Sequence, residues 1–301
     1  MKRFIANLLL FAILFFIYDK AFIFFKEYSA DKEIDKRLEL VLQGKMNKEI
    51  IVLGSSRGAN AVIAGDLQKI LGKSTYNLSY PASDVEFHEF LLRTLVKFNK
   101  PPKTLLLVVD DPFQLLPTNT QVFRYERLYP LVKYDHINQE LIDKGQKNAL
   151  LSKLFVLHRI NKTNLNLRQK YFTPEATVLA CGSMPISFQK SGRKWFYEKT
   201  DGVYPIADET SAKVEAFNKI ISICENTGIK LILITVPNFR ESNPSFVERM
   251  KTLVNERGSL YEFKYNSIYL DSNYFYDESH LNNKGAEIFT DELATYLKDK
   301  I

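Results

Sequence analysis

The run Glu49-Ile50-Ile51-Val52-Leu53-Gly54-Ser55-Ser56-Arg57-Gly58 indicates how this chain folds. Its first half is apolar and rich in β-branched residues, which predicts a short buried strand that breaks at a glycine into two serines. A helical pattern follows over Ala59–Leu71. A buried strand that turns sharply into a helix is the repeating unit of a parallel α/β sheet.

Other apolar runs repeat this unit along the chain. Strands are predicted over Thr75–Leu78, Thr104–Val109, Lys230–Val236 and Ser267–Leu270. Helical patterns cover Asp84–Phe98, Glu209–Asn226, Pro244–Glu256 and about Asn283–Lys298. Strands that alternate with helices predict a three-layer α/β/α fold with a mostly parallel, five-stranded sheet.

The N-terminus predicts a membrane anchor over residues 1–28. The uncharged run Phe4–Tyr18 is shorter than the ~20 residues that span a bilayer. If Asp19 and Lys20 reach the interface with their charged ends, Phe4–Phe25 is long enough to cross. The small residues that a signal peptidase needs are missing, which favours an uncleaved anchor over a secretory signal.

The charges beside this anchor predict the side on which the body lies. Lys2 and Arg3 precede the apolar run, and the positive-inside rule then places the N-terminus in the cytoplasm. We expect a single-pass protein of the cell membrane with its body on the extracytoplasmic, periplasmic side. Residues 29–47 predict a charged stalk helix, and residues 48–301 predict the α/β body.

An insertion interrupts the body at about residues 112–208, where the rhythm of strands and helices is lost. It is rich in aromatic and basic residues, including Trp195, the only tryptophan. It is either a lid or binding wall over the carboxyl edge of the sheet, or a structural cap that buries its own aromatics.

Composition limits the classes of partner and cofactor. The net charge of +6 fits a solvated lysine-rich surface or attraction to an anionic surface, and no nucleic-acid-binding motif is present. The two cysteines, Cys181 and Cys224, lie in apolar stretches and have no metal-site spacing. We expect no metal, no diffusible cofactor and no nucleic acid.

The segment Gly54–Gly58 matches the G-x-S-x-G pattern of a nucleophile elbow, with Ser56 as the nucleophile. A strand-to-helix turn exposes a hydroxyl and directs the first N–H groups of the helix into the same space. The alternative is a plain turn in which Ser55 or Ser56 caps the helix. A phosphate loop is disfavoured because the run lacks both the GxGxxG spacing and the lysine of such loops.

His280 is the one histidine of four that follows a predicted strand in a loop with a carboxylate close upstream. Asp277 can turn back and accept the imidazole Nδ1–H, which fixes the tautomer and supports the charged ring. The alternative is a capping turn for the last helix. Because the two motifs fall at the carboxyl edge of one sheet, we favour a Ser-His-Asp site.

This arrangement resembles the SGNH (GDSL-type) hydrolase superfamily over about residues 48–110 and 228–300. In that superfamily the nucleophile follows the first strand, and a D-x-x-H block near the C-terminus supplies acid and base. The resemblance implies a flavodoxin-like sheet with Ser56, Asp277 and His280 as catalytic residues. It also implies an oxyanion hole that includes the N–H groups of Ser56 and of Ala82, or of Ser79 in place of Ala82.

The chain departs from the family pattern after the third strand, where Asp110 stands in place of an asparagine that donates to the oxyanion. An ionised carboxylate cannot donate and would repel the developing charge. Either the third donor is missing, or Asp110 has another role, such as positioning Arg57 or His280.

A membrane-anchored SGNH-type domain looks like the alginate-acetylation and teichoic-acid D-alanylation proteins. This resemblance implies a serine esterase or O-acyltransferase that acts on a cell-envelope glycan or polymer, with an acyl donor and a multi-spanning membrane O-acyltransferase as partners. The alternative is a catalytically degenerate domain that binds a glycan or serves as scaffold for that acyltransferase.

Overall fold

The computed structural model describes residues 1–31, 35–160, 177–187, 196–197, 199, 202–264 and 266–301. Trp195, singled out in the insertion, lies outside these residues. The chain divides into two compact units. One comprises the described residues of Met1–Glu39 and Arg124–Tyr171, and the other those of Leu40–Phe123 and Phe172–Ile301.

The helices are α1 (Lys2–Ala21), α2 (Ile23–Asp31), α3 (Arg37–Leu42), α4 (Ser56–Ala61), α5 (Ala64–Leu71), α6 (Val85–Phe98), α7 (Tyr125–Leu128), α8 (Asp135–Asp143), α9 (Ala149–Leu154), α10 (Ser211–Thr227), α11 (Pro244–Val254) and α12 (Asn283–Lys298). The strands are β1 (Ile50–Leu53), β2 (Thr75–Asn77), β3 (Thr104–Val109), β4 (Lys230–Thr235), β5 (Gly258–Tyr261), β6 (Phe275–Asp277) and β7 (His280–Leu281).

The first unit contains α1, α2 and the short helices α7 to α9. Its N-terminal stretch Lys2–Tyr28 is long and apolar enough to cross a membrane, and little of it is buried within the protein. By length and composition the chain could therefore be held in a membrane by a single pass.

The second unit is built on a five-stranded sheet in the order β2-β1-β3-β4-β5, with every neighbouring pair parallel. The prediction of a five-stranded parallel α/β fold is confirmed. This strand order reverses direction between β1 and β3, and ligands of open parallel sheets bind at the carboxyl ends of the strands that flank such a switch point. A ligand site is therefore expected among the residues that follow β1 and β3.

Helices cover the sheet on both faces, as the fully buried strands β1, β2 and β3 require. Val52, Val108 and Ile234 contribute to a core cluster with Phe289 and Leu293 of α12. Alternate strand residues point to the opposite face, where α6 and α10 pack against each other. Apolar side chains on both faces explain why these strands read as continuous hydrophobic runs.

The predicted strand Ser267–Leu270 is wrong: this segment is a 3₁₀ turn, and the fifth strand is β5. Asn266 caps the turn, because its side chain accepts the N–H groups of Ile268 at 2.9 Å and Tyr269 at 3.3 Å. The first residue of β5 is Gly258, where a Cβ would lie only 2.9 Å from the Leu231 carbonyl oxygen of β4, so a larger residue would not fit. A glycine that resembles a turn signal in sequence thus permits close strand packing.

The single helix predicted over Ala59–Leu71 is two helices, α4 and α5, separated by Val62 and Ile63 in extended conformation. The backbone groups at this break form hydrogen bonds with residues distant in sequence. Ile63 N–H donates to Thr290 at 3.0 Å, and the side chain of Asn77 donates to the Val62 carbonyl at 2.8 Å. These contacts replace the helical bonds that two β-branched residues support poorly.

Candidate active site

The turn after β1 decides which serine can act as nucleophile. Ser55 is the N-cap of α4, and its buried Oγ accepts the Arg57 N–H at 3.3 Å and donates to Asp110 Oδ1 at 2.8 Å. Ser56 is the first residue of the helix and is only half-buried. The capping role therefore belongs to Ser55, and the hydroxyl of Ser56 is free to face the open side of the turn.

The structure brings Ser56, His280 and Asp277 together. Ser56 Oγ lies 2.8 Å from His280 Nε2, and His280 Nδ1 lies 2.7 Å from Asp277 Oδ1. The histidine and aspartate side chains are 21% and 20% exposed, so both remain open to solvent on one side. A hydroxyl, a base and an orienting carboxylate in series are the parts that activate a serine nucleophile.

A small hairpin holds the acid and the base. β6 and β7 are antiparallel, and Asp277 is paired directly with His280. Phe239, in the segment after β4, donates its N–H to the Glu278 carbonyl at 2.9 Å and ties the hairpin to the edge of the sheet. Asn282 caps α12 by accepting the Gly285 N–H at 3.1 Å, so Asp277 is not needed as the cap.

The environment of Asp277 favours its ionised form. Burial would raise the pKa of this carboxyl, but the hydrogen bond from His280 and the charge of that ring lower it below its ordinary value. The Ser279 N–H adds a further hydrogen bond to Oδ1 at 2.9 Å. Asp277 can therefore accept from His280 Nδ1 and leave Nε2 to receive a proton from Ser56.

Ala82 and Ser79, the two candidates for a backbone oxyanion donor, have different surroundings. Ala82 has a φ of 58°, in the left-handed region that glycine adopts at no cost, and it is half-buried. Ser79 is fully buried, and its N–H already donates to Asn77 Oδ1 at 3.0 Å. Of the two, Ala82 has the glycine-like backbone and an N–H with no acceptor among the described residues.

Asp110 follows β3 and is 2% exposed. Burial raises the pKa of Asp110 above its ordinary value, and the charges of Arg57 and His280 and the hydrogen bond from Ser55 offset that effect only in part. The Arg57 Nε lies 4.0 Å from Oδ1. Oδ2 is buried without a hydrogen bond of normal geometry, although the side chain of Gln121 is close enough to lower the pKa of Asp110. Asp110 therefore braces the turn through Ser55 and Arg57.

Arg57 was not predicted as a site residue, yet it joins three segments beneath the site. It is buried, and its guanidinium donates to the backbone carbonyls of Val236, after β4, and Asp111, after β3. Burial lowers the pKa of Arg57, and the Asp110 and Asp111 carboxyls oppose that effect. The segments after β1, β3 and β4 are thereby fixed relative to one another.

A second serine–histidine contact serves the packing of the turn. Ser83 Oγ lies 2.8 Å from His88 Nε2 and donates to the Tyr80 carbonyl at 2.7 Å, with Gly54 O a further 3.3 Å contact. Both side chains are fully buried, and burial lowers the pKa of His88 to about 3. This pair is closed to solvent, whereas Ser56 and His280 are half-buried, and it holds the loop that carries Ala82 against β1.

Gln121 was also missed. Its neighbour Val122 donates its N–H to the Ala82 carbonyl at 3.0 Å and pairs with Ser83 in a short parallel bridge. Gln121 is half-buried between this loop and Asp110. Sequence patterns give no sign of it, because an isolated glutamine in an irregular segment carries no periodicity.

A polar cavity of about 490 Å³ opens beside the histidine hairpin. Its lining includes Asp271, Asn273, Asn282 and Lys284. Within the described ranges, no group of three or more His, Cys, Asp and Glu side chains is arranged to hold a metal ion. Both cysteines are free thiols.

No protein-family model matches this chain, and neither does any curated protein.

Proposed function

We propose that this chain is a membrane-anchored, extracytoplasmic serine esterase or O-acyltransferase of the SGNH type that acts on a cell-envelope glycan or polymer. The observation that carries the proposal is the continuous series of contacts from Ser56 through His280 to Asp277, at 2.8 and 2.7 Å. The position of Ser56 after β1, at the switch point of the sheet, supports it.

The reaction begins when Ser56 Oγ attacks the carbonyl carbon of an ester while its proton passes to His280 Nε2. The tetrahedral intermediate collapses, the ester C–O bond breaks, and the leaving alcohol takes the proton from His280. An acyl-Ser56 remains. Water or an acceptor hydroxyl then attacks the carbonyl carbon of acyl-Ser56 while its proton passes to His280 Nε2. The bond to Ser56 Oγ breaks, Oγ takes the proton back from His280, and the acid or the new ester leaves. Asp277 stabilises the imidazolium in both half-reactions.

In this proposal the N–H groups of Ser56 and Ala82 hold the oxyanion, and we assign the third donor to Gln121, whose side chain contacts Asp110, the residue in the position of the family's asparagine. Its carboxamide carries the N–H₂ group that an ionised Asp110 lacks. Asp110 serves as the brace of Ser55 and Arg57 and limits where the Gln121 side chain can lie. In this proposal, the division of roles lets an active site keep a carboxylate in the asparagine position.

The substrate class follows from the location and the lining. Lys2 and Arg3 at the start of the anchor support a body outside the cytoplasm, where envelope polymers are modified. Neither Ser56 nor His280 lines the cavity near the hairpin, but its amide, carboxylate and ammonium groups suit a hydroxyl-rich glycan. A multi-spanning membrane O-acyltransferase is the partner that the resemblance implies, as source or recipient of the acyl group.

The alternative function is a catalytically degenerate SGNH-like domain that binds the glycan or scaffolds the acyltransferase. Asp110 in the donor position favours it, because loss of one oxyanion donor costs on the order of 10²–10³ in rate elsewhere. In this case Ser56 and His280 would be remnants of an ancestral site.

Acyl release separates the two functions. The full chain, solubilised in detergent, is given an acetylated glycan and a p-nitrophenyl acyl ester, and released acid is measured. Ser56→Ala should lower the rate by at least ~10³, while Ser222→Ala, on the exposed face of α10, should not change it. Equal release by wild type and Ser56→Ala would favour the scaffold.

A further inference from the structure

The carboxylate of Asp19 lies near the end of the apolar helix α1 and is the only buried side chain of that helix. The apolar side chains before it are open, with Phe11 67% and Phe15 42% exposed. A carboxylate is expensive in a membrane segment unless it has close partners. The sequence suggested that Asp19 reaches out to the interface, but the structure turns it inward.

The partners of Asp19 belong to the segment that follows α9. Its two carboxylate oxygens accept the N–H of Val156 at 3.0 Å and that of Leu157 at 2.9 Å. Lys20 donates to the Leu154 carbonyl at 3.0 Å and lies 3.2 Å from the Asp19 carboxylate. Hydrogen bonds to Asp19 and Lys20 thus attach the end of α9 and the two residues Val156 and Leu157 to the anchor helix.

A ring contact sets the depth of this attachment. Phe155 packs edge-on against Phe15, with ring centroids 5.8 Å apart. Phe15 precedes Asp19 by about one helical turn, or ~6 Å along the axis of α1. Phe155 therefore contacts α1 on the N-terminal side of Asp19, at the level of the uncharged run Phe4–Tyr18.

The outer face of α9 is apolar at the same level. Leu150 and Leu154, one turn apart, are 66% and 53% exposed, whereas Ser152 on the opposite side is buried. Lys153 beside them is exposed as well. Exposed leucines with a neighbouring lysine are the composition of a segment that lies in a membrane interface.

We propose that α9 is a second membrane contact, which inserts Leu150 and Leu154 at the boundary between headgroups and acyl chains beside the emerging anchor. The lipid bilayer is the occupant that the geometry favours, because the leucines continue the lipid-facing surface of α1 through the Phe15–Phe155 contact. Lys20 and Lys153 can then meet headgroup phosphates. The inference rests on the membrane anchoring in the proposed function and concerns how the unit sits at the bilayer surface.

Tryptophan fluorescence in vesicles tests the inference. Trp195 is replaced with phenylalanine, and the full chain carrying Leu154→Trp is reconstituted into phosphatidylcholine–phosphatidylglycerol vesicles, with or without lipids brominated near the headgroup, for Leu154→Trp, or near the middle of the acyl chain, for Phe11→Trp. Leu270→Trp is the matched control, because Leu154 and Leu270 are both 53% exposed. Phe11→Trp reports whether the anchor itself lies in the bilayer.

We expect brominated lipid to quench Leu154→Trp at least twofold more than Leu270→Trp, with a blue-shifted emission, and to quench Phe11→Trp as well. Leu150→Trp should behave as Leu154→Trp does. Quenching of Phe11→Trp alone would overturn the second contact and leave the anchor intact. No quenching of Phe11→Trp would overturn the anchoring and with it this inference.

Discussion

Replacing Asp277 with asparagine separates the two ways in which this carboxylate supports His280. Oδ1 of Asp277 accepts both the Ser279 N–H at 2.9 Å and the His280 Nδ1–H at 2.7 Å. The Ser279 N–H would hold the amide oxygen of an asparagine in the same place. The imidazole would therefore keep its tautomer, and only the negative charge would be lost.

The size of the effect follows from the geometry. Opposite charges ~4 Å apart attract by about 4 kcal/mol at an effective dielectric constant of 20. Because His280 and Asp277 are 21% and 20% exposed, water screens part of this attraction. We expect Asp277→Asn to cost ~1–3 kcal/mol in the transition state, or about 5- to 150-fold in rate. Asp277→Ala also removes the tautomer control and should cost about 10⁴-fold.

The assay is the second-order rate of labelling by a fluorophosphonate probe, measured on the solubilised full chain with thermal unfolding as a check on folding. Glu278→Gln, at an exposed neighbouring position in the same hairpin, is the control and should label like wild type. Equal loss in Asp277→Asn and Asp277→Ala would refute the reasoning about the shared oxygen. Wild-type labelling of both variants would remove Asp277 from the mechanism.

Other consequences concern residues around the site. The folded protein holds the pKa of His88 at about 3, whereas the unfolded chain takes up a proton near pH ~6.5, so stability is lost as the pH falls below ~6.5. Urea unfolding should lose about 2 kcal/mol from this residue between pH 7 and pH 5, a loss that His88→Gln should abolish and that an unchanged pH dependence would contradict. Gly182→Ala should destabilise by several kcal/mol in the same assay, because its Cβ would lie 2.1 Å from the Asn77 carbonyl oxygen; Gly72→Ala, also at positive φ but with open space around it, should cost only ~1 kcal/mol. Gln121→Ala should slow ester turnover by ~10² at unchanged unfolding midpoint, and full activity would exclude it as an oxyanion donor.

Elements with a strong local pattern could be predicted from the sequence. β3 and α12 begin and end at the expected residues, because one is a continuous apolar run and the other is a capped amphipathic helix. β5 could not be predicted. It is only four residues long and begins with Gly258 and Ser259, which do not indicate a strand, and Asn266 caps the more apolar Ser267–Leu270 as a turn.

The site divides in the same way. Asp277 and His280 are three residues apart, so their contact is local and could be predicted from the sequence. Ser56 could be inferred from the strand-to-turn pattern, but its distance to His280 depends on the whole fold. Arg57 contacts Val236, which is far along the chain, and Gln121, in an irregular segment, contacts Asp110. Neither residue lies in a local sequence pattern that predicts its role.

The central claim is that Ser56 is a nucleophile activated by His280. The most direct measurement is peptide mass spectrometry of the full chain after reaction with a fluorophosphonate, with His280→Gln alongside. We predict a single phosphonyl adduct on Ser56 in the wild type and its near-complete loss in His280→Gln. An adduct on Ser55, an adduct that does not depend on His280, or no adduct at all would contradict the account.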